Sequence, residues 1–408
     1  MPSLYHYQEE TVDALLGGKH IAILQTGMGK SPIAMRWAQI VTKKAKKKGV
    51  LVVTTASKSR SGDFENEADL WCGESWRQSL KTFEVISWHM LSKWLKANEK
   101  YSSEYVFVFD EVAKGKSYGS GMGKAFRNIC HSTKNWAGFT ATPGDKWIDF
   151  LNYMVACNHY KNKSQFVREH CIMQTFRGFP EITRYVDEQK LSDTWHSIAY
   201  IPDTTEAEKE LPPETHRVIE FKCPTDYRKV IKTRTKLDGE LIESAPELCH
   251  YLRQLCFTKE KQEWLKDFIE NLGDTCVFFC NYIQEEDTLA KIAESVLPKG
   301  ARVWRIDGTH HEIPTAETIG KRDVVIAHYL SGGEALNLQF MRHWCAVSPN
   351  YSLSTSVQAR GRIKRIKQKR HMFFWYLKVK NSIEVDIYKC LHDKKDFAAE
   401  QWVADLQT

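Results

Sequence analysis

The chain has 408 residues, 42% of them hydrophobic and 12% aromatic, which excludes a disordered polymer and supplies apolar surface for two or three cores. Its formal charge of +7 allows a polyanionic partner without requiring one. The 11 cysteines include no C-x-x-C pair, which argues against a zinc ribbon or a disulfide framework and for a reducing compartment. No apolar run approaches the ~18 residues of a membrane span, and "MPSLYHYQEE" lacks a signal core, so a cytoplasmic protein is expected.

In chain order, short and nearly continuous apolar runs recur: "HIAILQT", "VLVVTTAS", "FEVISW", "YVFVFDE" and "WAGFTATP", then "TCVFFCNY", "ARVWRIDG", "DVVIAHYL", "HWCAVSPN" and "HMFFWYL". Strands buried on both faces of a parallel sheet read this way. Helical patterns between many of them supply the crossovers that parallel strands need. The expected fold is therefore α/β, two open and mostly parallel sheets in tandem, each flanked by helices. The first would occupy residues 1–200 and the second 216–408, with a linker at 201–215 around Pro212 and Pro213. Strands are hard to place between 157 and 257. There "RYVDEQKLSDTW" and "DYRKVIKTRTKL" read as helix and connector.

Open parallel sheets bind ligands beyond the carboxyl ends of their strands. The strand-end polar residues to inspect are Thr26, Thr54, Ser87, Asp110, Glu111, Thr140 and Thr142 in the first half, and Asn281, Asp307 and Ser348 in the second. After the first strand, "QTGMGKS" nearly matches a phosphate-binding loop, with Leu24 at the first glycine position. Gly27 and Gly29 let backbone amides turn toward phosphate at the start of a helix. Lys30 would reach the terminal phosphates and Ser31 would hold Mg2+. Asp110 would bind the metal through its water shell, and Glu111 would polarise the attacking water. In "SVQARGRIKRIKQKR", Arg362 and Arg365 are three apart and would share a helix face. A guanidinium there can meet a γ-phosphate bidentately. The remaining basic residues of that stretch, and the lysines of "KKAKKKG", read as solvated faces.

These motifs, in this order, resemble superfamily 2 helicases and translocases of the Swi/Snf-like branch. "QTGMGKS", "LVVTTASKS", "DEVAKGKS" and "GFTATP" resemble motifs I, Ia, II and III. "VFFCNY", "SGGEALNLQ" and "SVQARGRIKR" resemble motifs IV, V and VI. The resemblance spans roughly residues 5–397. It departs at Val112 and Ala113, where the branch usually has Ala-His, and at Ala335, where a glycine is usual. "TATPGDKWIDF" with "YKNKSQFVREH" is similar more narrowly to compact helicases encoded by bacteriophages.

The resemblance implies two RecA-like lobes with ATP and Mg2+ between them. Gln8 would touch adenine, and Thr26, Gly27, Met28, Gly29, Lys30, Ser31 and Gly333 would line the nucleotide site. Ser31 and Asp110 would hold the metal, and Gln358, Arg362 and Arg365 would complete catalysis with Lys30, Asp110 and Glu111. Thr55, Ser57, Lys58, Ser87, Thr309 and Asn337 would grip a nucleic-acid backbone, with Thr140 and Thr142 coupling the two sites. The expected protein is a monomeric ATPase that moves along DNA, in preference to RNA, serving replication, recombination or repair. An ATP-gated DNA-binding module for a nuclease or replisome partner is the main alternative. A small-molecule phosphotransferase ranks third, because it gives no reason for the second set of motifs.

Overall fold

The structure is a computed structural model. It describes all residues except 1, 99–103, 177–178, 311, 331–336, 367, 394–396, 400–401 and 403–408. The chain divides into two compact units, Met1–Glu208 and Lys209–Thr408.

The first unit is built on a six-stranded, all-parallel sheet. Its strands are β1 (Ile21–Ile23), β2 (Gly49–Thr54), β3 (Thr82–Ser87), β4 (Tyr105–Asp110), β5 (Trp136–Thr140) and β8 (Ala199–Tyr200). They lie in the order β3-β2-β4-β5-β1-β8. A separate antiparallel hairpin, β6 (Cys171–Phe176) with β7 (Phe179–Tyr185), precedes β8. The sheet is buried from both sides, which explains the unbroken apolar runs. In β2 and β4, Leu51, Val53, Phe107 and Phe109 join one aromatic-rich core with Trp88, Phe126 and Trp136. The alternating Val50, Val52, Val106 and Val108 are equally buried.

The second unit repeats the plan with β9 (Glu214–Phe221), β10 (Cys276–Cys280), β11 (Val303–Ile306), β12 (Val324–His328), β13 (His343–Ala346) and β14 (Met372–Val379). The order is β11-β12-β10-β13-β14-β9, again all parallel. The alternation of β10 separates two cores: Cys276, Phe278 and Cys280 face one, and Val277 and Phe279 face the other. The same division holds for Val324 and Ile326 against Val325 and Ala327 in β12. The molecule is thus α/β with two six-stranded parallel sheets flanked by helices, the plan of two RecA-like lobes. All 11 cysteines are free thiols, and no described helix is long and apolar enough to cross a membrane.

Besides the two-residue strand β8, three elements differ from the sequence expectation. β9 lies in a stretch with no apolar run, because this edge strand is largely exposed, with Val218 at 54%. It is held by an eight-residue register against β14. The hairpin β6–β7 leaves Ile172 and Met173 exposed, so it too lacks a buried-strand signature. The basic stretch after Leu353 is helical only to Arg360, so Arg362 and Arg365 stand in the following turns rather than on one helix face.

A buried polar layer ties the strand ends of the second unit together. The Lys261 ammonium meets Glu384 at 2.9 Å with both side chains 1% exposed, and also donates to the Val347 carbonyl at 3.1 Å. Asn281 donates to the Ser348 hydroxyl at 2.9 Å, which in turn donates to Glu285 at 2.9 Å. The strand-end residues Asn281 and Ser348 are therefore committed to holding β10 and β13 in place.

His343 gives this unit a pH dependence. Its ring is stacked on Phe373 with centroids 5.0 Å apart, and its Nδ1 lies 3.4 Å from the Trp375 indole nitrogen. Burial pushes it down from 6.5 to about 4, with Asp274 working against that shift and Arg342 and Arg370 adding to it. A depressed folded-state value means that stability is full above pH 6.5 and is lost as the unfolded chain takes up a proton on the way down to about pH 4. Unfolding free energies from urea titrations should fall over that window by an amount on the order of 2 kcal/mol, and His343→Phe should flatten this part of the profile. A parent profile already flat between these values would exclude the effect.

Candidate functional site

The carboxyl ends of β2, β4, β5 and β1 lie side by side, so four loops meet at one edge of the first sheet. The loop after β1 starts with Leu24, whose N–H bonds the Thr140 carbonyl at 3.0 Å and continues the pairing with β5. Its side chain is 2% exposed. An apolar residue at the first glycine position is therefore a core residue of the sheet. Gly27 and Gly29 follow with φ of 91° and 75°, the left-handed region that glycine enters freely. The helix α2 (Lys30–Lys44) then begins with no side-chain cap, leaving its positive end for an anion.

The helix α1 (His6–Leu16) braces this loop from behind. The Tyr7 hydroxyl donates to the Met28 carbonyl at 2.9 Å, and the Gln8 amide donates to the same carbonyl at 3.3 Å. The Gln8 carbonyl oxygen accepts from the Tyr5 N–H at 3.1 Å, and Gln8 is 2% exposed. A Cβ on Gly29 would meet the Gln8 amide, so any other residue there would displace Gln8 as well as strain the left-handed φ. Gln8, expected at adenine, supports the phosphate loop in this conformation. Beside it the exposed Tyr5 ring stacks on Tyr7, with centroids 6.1 Å apart.

Lys30 reaches back across the loop to the Leu24 carbonyl at 3.3 Å. Its ammonium lies 3.7 Å from the Glu111 carboxylate, with the two side chains 9% and 12% exposed. Glu111 has φ 48° and ψ 53°, a left-handed backbone that costs a non-glycine residue roughly 1 kcal/mol or more. That strain turns its carboxylate toward Lys30 immediately after Asp110 ends β4. The Asp110 carbonyl is pinned by the Trp88 indole N–H at 2.8 Å. Val112 is fully buried against Gly138 of β5, so the position after Glu111 packs the sheet.

Asp110 is 2% exposed. Its Oδ2 accepts from the Thr54 hydroxyl at 2.7 Å and from the Lys58 ammonium at 2.9 Å. Burial raises its proton affinity, but Lys58, Thr54 and the more distant Lys30 outweigh it and hold the carboxyl below the usual range. Lys58 belongs to a one-turn helix, α3 (Lys58–Ser61). Expected at a nucleic-acid groove, it is directed instead to Asp110. Of its neighbours in that set, Thr55 and Ser87 are buried, and Ser57 is exposed. Thr140 is fully buried, and its hydroxyl accepts from the Thr142 N–H at 3.2 Å. The Tyr153 hydroxyl donates to the Pro143 carbonyl at 3.0 Å and steadies that loop.

The constellation fits a nucleotide with Mg2+. The Thr26 hydroxyl is buried beside the phosphate loop with no hydrogen-bond partner. Among the described residues no cluster of three metal-ligating side chains exists. Mg2+ would bind through one or two protein oxygens and the substrate phosphates, and Ser31 and Asp110 are the residues that would supply those oxygens.

In the second unit, Arg362 is 4% exposed, and its carbonyl accepts from the Leu338 N–H at 3.1 Å. The exposed Asn337 is thereby fixed next to the Arg362 turn. Arg365 folds back, its Nε donating to the Gly361 carbonyl at 2.9 Å, and Gln358 is half-buried on the preceding helix. Gly333 lies outside the described residues. Thr309 donates to Asp307 through its N–H at 2.7 Å and its hydroxyl at 2.8 Å. These bonds, with those from His310, drive the Asp307 carboxyl well down although burial opposes the shift.

Sequence reading named Thr54 among the strand-end residues but missed Trp88, Tyr7 and Tyr153 as supports of the site. Thr54 carried a signal, since it ends the strand that pairs with β4. The other three are aromatic residues indistinguishable by type from core residues.

No protein-family model matches the chain, and no curated protein does. Among solved structures it is similar to the Sulfolobus solfataricus SWI2/SNF2 ATPase core in complex with dsDNA, at 14% identity and a TM-score of 0.45. That match covers 96% of this chain and 91% of the other.

Proposed function

We propose that the protein is a DNA-stimulated ATPase that translocates along DNA. The observation that carries this reading is the meeting of Lys30 and Glu111 at 3.7 Å above a glycine-turned helix start, with the ionised Asp110 next to them. Lys30, the Thr26 hydroxyl and the α2 amides bind the phosphates. Ser31 and Asp110 would hold Mg2+, which would supply positive charge against the phosphate oxygens. Glu111 orients a water for in-line attack on the γ-phosphorus and takes its proton as the bond to the β-phosphate oxygen breaks, releasing ADP. The exposed Tyr5 ring offers a surface for the adenine. Arg362 and Arg365 stabilise charge on the transferring phosphoryl group, with Gln358 on the helix that precedes them. Ser57, Thr309 and Asn337 provide short polar groups for a phosphate backbone, so binding is independent of base sequence and weakens steeply with salt. Motif resemblance supports a phage or bacterial setting in DNA replication, recombination or repair, with the protein acting as a monomer.

The test is the ATPase rate against DNA length at fixed total nucleotide and low salt. A translocase gives a rate that rises with length and then levels off. Equal stimulation by short and long DNA would instead mean an ATP-gated clamp. A fully active ATPase unaffected by any nucleic acid would end the motor reading.

A further inference from the structure

We propose that Lys58 is a built-in counter-ion that holds the Asp110 carboxylate until metal-bound nucleotide arrives, and that its release is what couples the residue 55–61 segment to nucleotide binding. The inference rests on the ATPase reading above. Lys58 neutralises the carboxylate that the metal would face: its ammonium is 2.9 Å from Asp110 Oδ2, the same atom that accepts from Thr54 at 2.7 Å. The pair is well shielded, with side chains 19% and 3% exposed. A buried carboxylate without a cation is strongly unfavourable, so one positive partner must be present at every stage. A second cation brought up to the same carboxylate, directly or through its water shell, repels the first, so the metal weakens the hold of Lys58.

Where the ammonium goes is set by its own segment. The Ser59 N–H bonds the Thr55 carbonyl at 2.9 Å and the Arg60 N–H bonds the Ser57 carbonyl at 3.2 Å. Lys58 is thus rigidly joined to the exposed Ser57 and Arg60. The Thr55 hydroxyl in the same turn is buried without a partner. A displaced Lys58 adds a third polar group, with Ser57 and Arg60, for a nucleic-acid phosphate. Binding linkage makes the effect reciprocal. A phosphate that draws Lys58 away frees Asp110 for the metal, and raises metal affinity by the factor by which metal raises DNA affinity. Asp110 and Lys58 are 52 positions apart, so this device is invisible to local sequence patterns. It also gives a physical route for stimulation in a chain with Ala113 where the resembled branch has histidine.

The test measures Mg2+ affinity directly, as the Mg2+ dependence of binding of a fluorescent, non-hydrolysable ATP analogue, with and without duplex DNA. In the parent, DNA should raise Mg2+ affinity about tenfold. Lys58→Met should raise it by a similar factor without DNA and remove the further effect of DNA. Lys58→Gln, which keeps a hydrogen bond to the carboxylate, should move in the same direction and carries the test if the methionine variant does not fold. A variant with unchanged or weaker Mg2+ affinity, or with the full DNA effect, overturns the Lys58 inference while leaving the ATPase reading intact. A parent that binds no Mg2+–nucleotide overturns both.

Discussion

Glu111→Gln is expected to reduce ATP turnover by about 10² to 10⁴ while leaving nucleotide affinity within a few-fold of the parent. The side chain keeps its shape and one hydrogen-bonding oxygen, so the strained turn at φ 48° is retained. What is lost is the negative charge that orients water and accepts its proton. The Lys30–Glu111 pair at 3.7 Å sharpens the expectation. Without the carboxylate, Lys30 has one fewer anion competing with phosphate, so binding should hold or tighten as hydrolysis fails. Equilibrium binding of labelled ATP and single-turnover hydrolysis separate the two quantities. Near-parental hydrolysis would show that Glu111 does not position the water.

The second large effect is expected at Arg362. Arg362→Ala should cost about 10³-fold in hydrolysis rate with ATP affinity roughly preserved, since an arginine finger acts mainly on the transition state. Lys30→Ala should differ by weakening ATP binding as well. Because Arg362 is 4% exposed and its turn is bonded to Leu338, part of any loss can come from packing. Thermal melts and Arg362→Lys divide the causes. Lysine keeps the charge and most of the stem but cannot form a fork of two parallel hydrogen bonds. A folded lysine variant should therefore remain slow. Small and equal effects from Arg362→Ala and Lys30→Ala would mean that Arg362 has no part in the chemistry.

The site was legible to the extent that its chemistry is local. Gly27, Gly29, Lys30 and Ser31 are one loop, and Asp110 and Glu111 are the end of one apolar run, so residue type and spacing alone mark them. Gln8 was marked by resemblance, but its present hydrogen bonds to Met28 and Tyr5 depend on how α1 folds over the loop. The arginines were identified by motif, whereas the helix end at Arg360, the burial of Arg362 and the bond of its turn to Leu338 are not written in that motif. Lys58 is the sharpest case. A lysine after a strand end reads as a phosphate contact, and only the pairing of β2 with β4 brings it to Asp110.

By itself the sequence determined the ten apolar strands and hence two parallel sheets, because burial on both faces writes hydrophobicity into every position of the central strands β2, β4, β5, β10 and β13. It also determined the phosphate loop and the acidic strand end, because backbone conformation and charge act there within a few residues. Only the tertiary structure decided the exposed edge strand β9, the hairpin β6–β7, the apolar role of Leu24 and the commitment of Lys58. The hairpin has no buried face to mark it, and each of the others depends on a partner distant in the chain; a hydrogen-bond register or a buried ion pair leaves no periodicity in the sequence of either side.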